Sequence, residues 1–564
     1  MKNLLNTDFM STFPSLTRPA RLCVFFAWVA LGCLAVTSGC GPDEQREPLS
    51  DGRMDHGQLT DSLGRTTPLK CPGMAGCEGI GGPLYVGVAT EVITPAVEHW
   101  EDHNANGVRD DGESFEDLNG NDVWDPVWLA GAAAGRAATG VHDDLWARVL
   151  TVEKGDTSLG LVALDLIGLS QPDVVAIRRA ANALGLGFDH IAVVSTHQQQ
   201  GPDTLGMWGP ARRESGVDPL YMAWVGEQVI AALRRAKADA RVTTMRVGQT
   251  QAPHLVRDAR LPEVPDHPVH TLGFVDGRGE MFASLVIWGN HPETLGPNNT
   301  SITSDFPHFL RGAMERYYPG STSIFVNGIL GGVTTPRGVV GCPDETGQQQ
   351  CAQGTFERAA YIGEELAALA MESLRDEVAR VDHEPRLALR RQPMMVGIEN
   401  PLAAVEVLLG LNQRRMFSKD GRMVWGDELR ELSLPEVLSG AWKFDSEVNA
   451  LTLGPVQLLL VPGELYGELW RSDSKGFSLV EHPVGADFPD ALSEPALERA
   501  MDPTAIRVVV NQSNDSLGHL IPRAQYDLEA PHAYEPHGQE GEESSLGAHV
   551  AEVVAEAVYR MFEL

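Results

Sequence analysis

The chain has 564 residues, room for two or three average domains, and its 43% hydrophobic and 21% charged content is that of a globular protein with a large core. Its formal net charge of −33 repels polyanions, which argues against nucleic acid as a partner and against electrostatic steering by an anionic membrane surface. That balance suits a soluble extracytoplasmic protein that also binds divalent cations.

Residues 1–40 read as an export signal. Lys2, Arg18 and Arg21 lead into the apolar stretch VFFAWVALGCLAV, followed by Thr37, Ser38 and Gly39 before Cys40. This is the pattern of a bacterial lipoprotein signal, in which the Cys40 thiol is acylated and becomes the mature N-terminus. Cys33 is the alternative acceptor, and a plain secretory signal or an uncleaved anchor fits the same stretch. The expected location is the bacterial cell envelope, outside the cytoplasm, lipid-anchored at the outer membrane or cell surface. Residues 41–82 are polar, carry Pro and Gly and show no periodicity, as a flexible tether would. In an oxidising compartment the close pairs Cys71 with Cys77 and Cys342 with Cys351 predict two local disulfides.

From Pro83 onward strand-like and helix-like segments alternate. The strand candidates are LYVGVATEV, ARVLTVEKG, LGLVALDLIGL, HIAVVST, RVTTMRVGQT, FASLVIWG, TSIFVNG, LALRRQPMMVGI, VQLLLVPG and IRVVVNQ. Helical patterns cover Pro172–Leu184, Pro219–Ala236, Phe306–Tyr317, Phe356–Leu374 and Leu546–Phe562. With no internal repeat, this predicts one α/β domain over residues 83–564, built on a large mixed, mostly parallel sheet covered by helices on both faces.

Between the first strand and WLAGAAAGRAATGVHDD lies an insertion, residues 100–128, of different chemistry. Counting from Asp102, oxygen-bearing side chains fall at positions 1, 3 and 5 (Asp102, Asn104, Asn106), Gly107 at 6, Asp110 at 9 and Glu113 at 12. That is the calcium-loop pattern, in which a hard cation collects six to eight oxygens around a glycine turn; a solvated acidic loop is the alternative. A second copy begins at Asp117 with Asn119, Asn121 and Asp125, but Trp128 stands where the closing glutamate belongs. No amphipathic helix pair flanks the loops, so structural Ca2+ is expected rather than a switch.

Four apolar runs end in metal-binding residue types: IAVVSTH at His197, SLVIWGNH at His291, LLLVPGE at Glu464 and VVVNQSNDSLGH at His519. Ligand sites of open α/β sheets gather beyond the carboxyl ends of strands, so these four residues can converge, and three imidazoles with one carboxylate make a zinc site.

At this point the sequence resembles the catalytic domain of the neutral/alkaline, non-lysosomal ceramidase family. The resemblance is carried by LYVGVATEVITP, GVHDDLWARVL, STHQQQGPDT, WGNHPETLGPNNTSITSDFP, VNGILGGVTTP, VPGE and NDSLGHLIPRAQY. It implies a sphingolipid-type hydrolase in which zinc-activated water attacks the carbonyl of an amide in an N-acyl, lipid-like substrate. Mapped by motif, the family's two histidines fall on His197 and His291 and its glutamate on Glu464, while His519 stands where the family has tyrosine. Gln199 replaces a second histidine of the His-x-His motif, and an amide orients a water or substrate but cannot act as a general base. Thr334 or Thr335 keeps a hydroxyl near the family's catalytic serine, and Tyr534 with Arg257 or Arg260 lies where the family keeps a tyrosine and an arginine for substrate. Asp143 and Asp305 are candidates to hold a ligand imidazole or, equally, to cap loops.

The chain ends on the helix pattern AHVAEVVAEAVYRMF, without the family's C-terminal β-sandwich module, so the lipid at Cys40 is expected to supply membrane proximity instead. The competing reading, carried by Gln199, is a catalytically impaired surface lipoprotein that keeps fold and metal and only binds a ligand. The residues leave the oligomeric state open.

Overall fold

The computed structural model describes residue 60 and residues 65–563, apart from residues 76, 105–108, 265–267, 333, 340, 345, 412–413 and 535–537. Cys40 and the expected signal lie outside the described residues, as do most of the tether and, in the insertion, Asn106 and Gly107.

Three sheets share one core. The first contains the strands Tyr85–Val92, Trp146–Lys154, Thr157–Leu164 and His190–Ser195. The second contains Thr244–Gln251, Pro268–Val275, Met281–Ile287 and Thr322–Val326. The third contains Leu387–Gly397, Trp442–Leu453, Val456–Leu460 and Ile506–Val510. One face of each sheet points inward, where Leu150 and Leu161, Leu272 and Leu285, and Leu389 and Leu458 meet in a single apolar cluster. Helices cover the outer faces: Gln171–Ala183 and Pro219–Ala238 on the first sheet, Phe306–Tyr317 and Phe356–Ser373 on the second, Val550–Glu563 on the third.

This corrects the expected single, mostly parallel sheet with helices on both faces. Neighbouring strands are mostly antiparallel; Trp146–Lys154, for example, turns at Gly155 (φ +58°) straight back into Thr157–Leu164. Antiparallel strands usually alternate apolar and polar residues because one face meets water. Here one face meets the other sheets and the other a helix, so all eight residues of Thr157–Leu164 are buried and the run imitates a parallel strand.

Each sheet nevertheless holds one parallel pair: Thr157–Leu164 with His190–Ser195, Met281–Ile287 with Thr322–Val326, and Val456–Leu460 with Ile506–Val510. The carboxyl ends of the three pairs are stitched together. The Ser195 N–H donates to the Gln512 carbonyl (3.0 Å), the Asn511 N–H to the Asn327 carbonyl (3.0 Å) and the Asn327 side-chain amide to the Thr196 carbonyl (2.5 Å). Both expected disulfides are present, Cys71–Cys77 and Cys342–Cys351. Among the described residues no helix is long and apolar enough to cross a membrane.

Candidate metal centre

His197 follows the strand His190–Ser195, His291 follows Met281–Ile287 and Glu464 follows Val456–Leu460, so each sheet delivers one of the three from the end of its parallel pair. Their side-chain ligand atoms lie within 4.8 Å of one another, and all three residues are buried. His197 Nε2 is 3.3 Å from Glu464 Oε1 and His291 Nε2 is 3.0 Å from Glu464 Oε2. Both Nδ1 atoms face backbone carbonyls, His197 that of Ile167 at 2.5 Å and His291 that of Thr334 at 2.6 Å. In those contacts Nδ1–H is the donor, so a neutral ring keeps its lone pair on Nε2, aimed at the centre. His197 has φ 60°, a left-handed conformation costing on the order of 1–3 kcal/mol for a non-glycine residue and typical of functional sites.

His519 reaches the same carboxylate. It pairs in register with Glu464 on two short parallel strands, and its Nδ1 lies 3.5 Å from Glu464 Oε2. Sequence reasoning missed Tyr466, whose hydroxyl is 3.4 Å from His519 Nδ1, and Gln512, whose amide donates to Glu464 Oε1 at 3.4 Å. Tyr466 was legible as the residue two places after Glu464, since i and i+2 share one side of extended chain.

The electrostatics are those of a carboxylate enclosed by imidazoles. Burial opposes the charge on Glu464, but His519 and His197 and the hydrogen bonds from His197 and His291 hold its carboxyl well below the usual range. Burial likewise opposes charge on His291, where the hydrogen bond and charge of Glu464 prevail and raise its pKa. At His519 burial prevails over Glu464 and lowers it.

A cleft of about 1700 Å³ opens over these residues, lined among others by Gln199, Arg257, Thr335 and Tyr534. The Tyr534 hydroxyl is buried with no partner among the described residues, and burial pushes its pKa up to about 12, so it stays an O–H donor. Thr334, expected to offer a catalytic hydroxyl, turns it to the carbonyls of Ile329 and Leu330 (3.3 Å each) and holds His291 through its own carbonyl instead. Arg260 is committed elsewhere, forked onto Glu542 at 2.6 and 2.7 Å with only 2% of the residue exposed. Asp143 and Asp305 hold no ligand imidazole: Asp143 accepts from the Ser304 N–H (2.9 Å), and Asp305 caps Phe306–Tyr317 through the Phe306 N–H (2.6 Å).

In the insertion, Asn104 donates to Asp110 (2.6 Å), and the Glu113 carboxylate accepts the N–H groups of His103 and Asp110 at 2.9 Å each. The second copy repeats this arrangement with a glutamate from outside the loop. Asn119 donates to Asp125 (2.7 Å), and buried Glu98 accepts the N–H groups of Leu118 (3.1 Å) and Asp125 (2.8 Å). Glu98 therefore takes, in space, the place that Trp128 leaves vacant in sequence. The segment closes on the loop that follows His197, where the Asp203 N–H donates to the Trp128 carbonyl (2.8 Å).

Four residues past Glu464, the carboxyl of Glu468 is buried with one oxygen unpartnered among the described residues, and burial, reinforced by Asp258, pushes its pKa up to about 7. A raised carboxyl stabilises fully below its unfolded value, and that stability is lost as pH rises from about 4.5 to about 7. The shift corresponds to up to about 3 kcal/mol. Glu468→Gln is therefore expected to flatten the fall in thermal stability between pH 5 and pH 8; an unchanged slope in scanning calorimetry contradicts this.

No protein-family model matches the sequence, nor does any curated protein. Solved structures do match the α/β fold built here. Neutral ceramidase from Pseudomonas aeruginosa superposes with a TM-score of 0.58 at 14% identity, over 86% of this chain and 75% of that one. A structure described as ceramidase complexed with C2 gives 0.58 at 14%, over 85% and 75%. The chain has a neutral-ceramidase-like fold in divergent form.

Proposed function

We propose that the chain is a zinc-dependent hydrolase of an amide bond in an N-acyl, lipid-like substrate. The observation that carries this reading is the buried His197, His291 and Glu464 set in the wall of a large cleft. Its donors suit zinc: two imidazole Nε2 lone pairs, each fixed by a carbonyl behind the ring, and a carboxylate that stays ionised. His519 is the fourth candidate ligand. Bound there, zinc would supply Lewis-acid polarisation of an amide carbonyl and would lower the pKa of a water toward about 7. In the net reaction one water adds to the carbonyl carbon, the C–N bond breaks and a proton goes to the leaving nitrogen, giving an acid and an amine. In this reading Tyr534, which lines the cleft, donates to the developing oxyanion, and Gln199 orients water or the amide without exchanging a proton.

Gln199 also supports a second reading, a ligand-binding lipoprotein with an impaired site. Product release from N-acyl amides of graded chain length separates the two. Turnover is expected, slower than with a histidine at position 199, abolished in Glu464→Ala, and best on substrates smaller or more polar than ceramide. Equal release by wild type and Glu464→Ala, or none on any amide with zinc loaded, favours the binder.

We further propose anchoring through a lipid on Cys40 and structural calcium in the Asp102–Glu113 loop, with Glu98 closing the Asp117 loop in the same manner. Chelation is expected to expose residues 100–128 to protease; a cleavage pattern indifferent to chelator counts against calcium.

A further inference from the structure

Arg257 and Arg260 differ in one decisive respect. Arg260 is locked onto Glu542, whereas the Arg257 guanidinium lines the cleft with no ion pair or hydrogen bond among the described residues. Among the acids that line the cleft, Glu293 is engaged by the Thr335 hydroxyl and by Arg337 at 3.7 Å, and Glu542 by Arg260. Arg257 is also held next to the metal centre: it pairs in register with Thr335, adjacent to the Thr334 carbonyl that orients His291. Its side chain lies over Gly338, where an added Cβ would sit 3.2 Å from Nε.

Another part of the lining is apolar. Leu205, Met207 and Trp208 lie beside Ala403 and Val407 of the helix Pro401–Leu408. The two segments abut closely, since a Cβ on Gly206 would fall 1.8 Å from the Leu411 carbonyl oxygen. A wall of this kind accepts an acyl chain, and a free guanidinium fork matches a carboxylate.

We infer that the substrate is an N-acyl amino acid, its acyl chain on the Leu205–Trp208 wall and its carboxylate read by Arg257. The inference rests on the amide-hydrolase reading, and hydrolysis then yields a fatty acid and a free amino acid. The test is calorimetric titration of the full chain, freed of zinc by a zinc-selective chelator with calcium kept in excess, with N-lauroylglycine and with its neutral methyl ester, alongside turnover of both by the zinc-loaded protein. Chelation removes the metal as a rival for the carboxylate.

Wild type is expected to bind the acid at least about tenfold more tightly than the ester, the scale of one charge-assisted pair. That ratio is expected to fall to near one in Arg257→Met and to be partly restored in Arg257→Lys, which keeps the charge and loses the fork. Equal affinities in wild type, or selectivity that survives Arg257→Met, overturn the inference whatever the turnover. Arg257-dependent selectivity without turnover of either compound supports the N-acyl amino acid as the ligand that Arg257 reads and overturns the hydrolase reading instead.

Discussion

His197→Ala is expected to hold zinc at least about a hundredfold more weakly than the wild-type chain. Losing an outer-shell partner of a metal ligand already costs about 10–100-fold in affinity, and His197 presents its own Nε2 to the centre, 3.3 Å from Glu464. The left-handed backbone at His197 points the same way, because a strained conformation persists only where the surrounding structure holds it. Chelator competition measures the difference. Tyr534→Phe is the control, since the hydroxyl it removes has no partner among the described residues and its loss is expected to leave zinc affinity within about threefold. Unchanged affinity in His197→Ala contradicts the assignment.

Gln199→His is expected to raise kcat by about a hundredfold, the lower end of what a positioned general acid or base contributes. The site is ready for the exchange. The Gln199 backbone is pinned, its N–H donating to the Pro292 carbonyl (3.2 Å) and its carbonyl accepting from Arg136 (3.1 Å). Gly131 makes room for the side chain, since a Cβ there would meet the Gln199 Cβ at 2.4 Å. The pH profile distinguishes proton transfer from mere repacking: the variant is expected to gain a limb near an imidazole pKa of about 6.5, which the amide of wild type cannot produce. A flat comparison, with neither a faster rate nor a new limb, removes Gln199 as the reason for slow turnover.

Much of the centre was legible because its residues follow strands buried on both faces, and such strands announce themselves as apolar runs. His197, His291 and Glu464 each stand a few residues past one. The same double burial hid strand direction, so the parallel pairs were readable and the antiparallel majority was not. Trp442–Leu453 went unseen for another reason. It carries Asp445, Ser446, Glu447 and Asn449, all buried, and reads as polar because its partners are distant in sequence: Arg178 meets Glu447 at 2.7 Å and Arg415 meets Asp445 at 3.1 Å. Glu98 escaped in the same way, since a closing carboxylate that precedes its loop has no spacing to betray it. Thr334 shows the limit of motif mapping: the residue stands beside the site, yet its carbonyl serves His291 while its hydroxyl turns away.

Zinc dependence of amide hydrolysis is read directly by titrating zinc into the chelated full chain, with release of product from an N-acyl amide followed at each addition. No turnover is expected without metal, a rate that climbs linearly to one equivalent of zinc and then levels is expected on titration, and no recovery at any zinc level in Glu464→Ala. Turnover that persists in the chelated protein, or a fully zinc-loaded wild type that releases nothing, would contradict zinc-dependent hydrolysis.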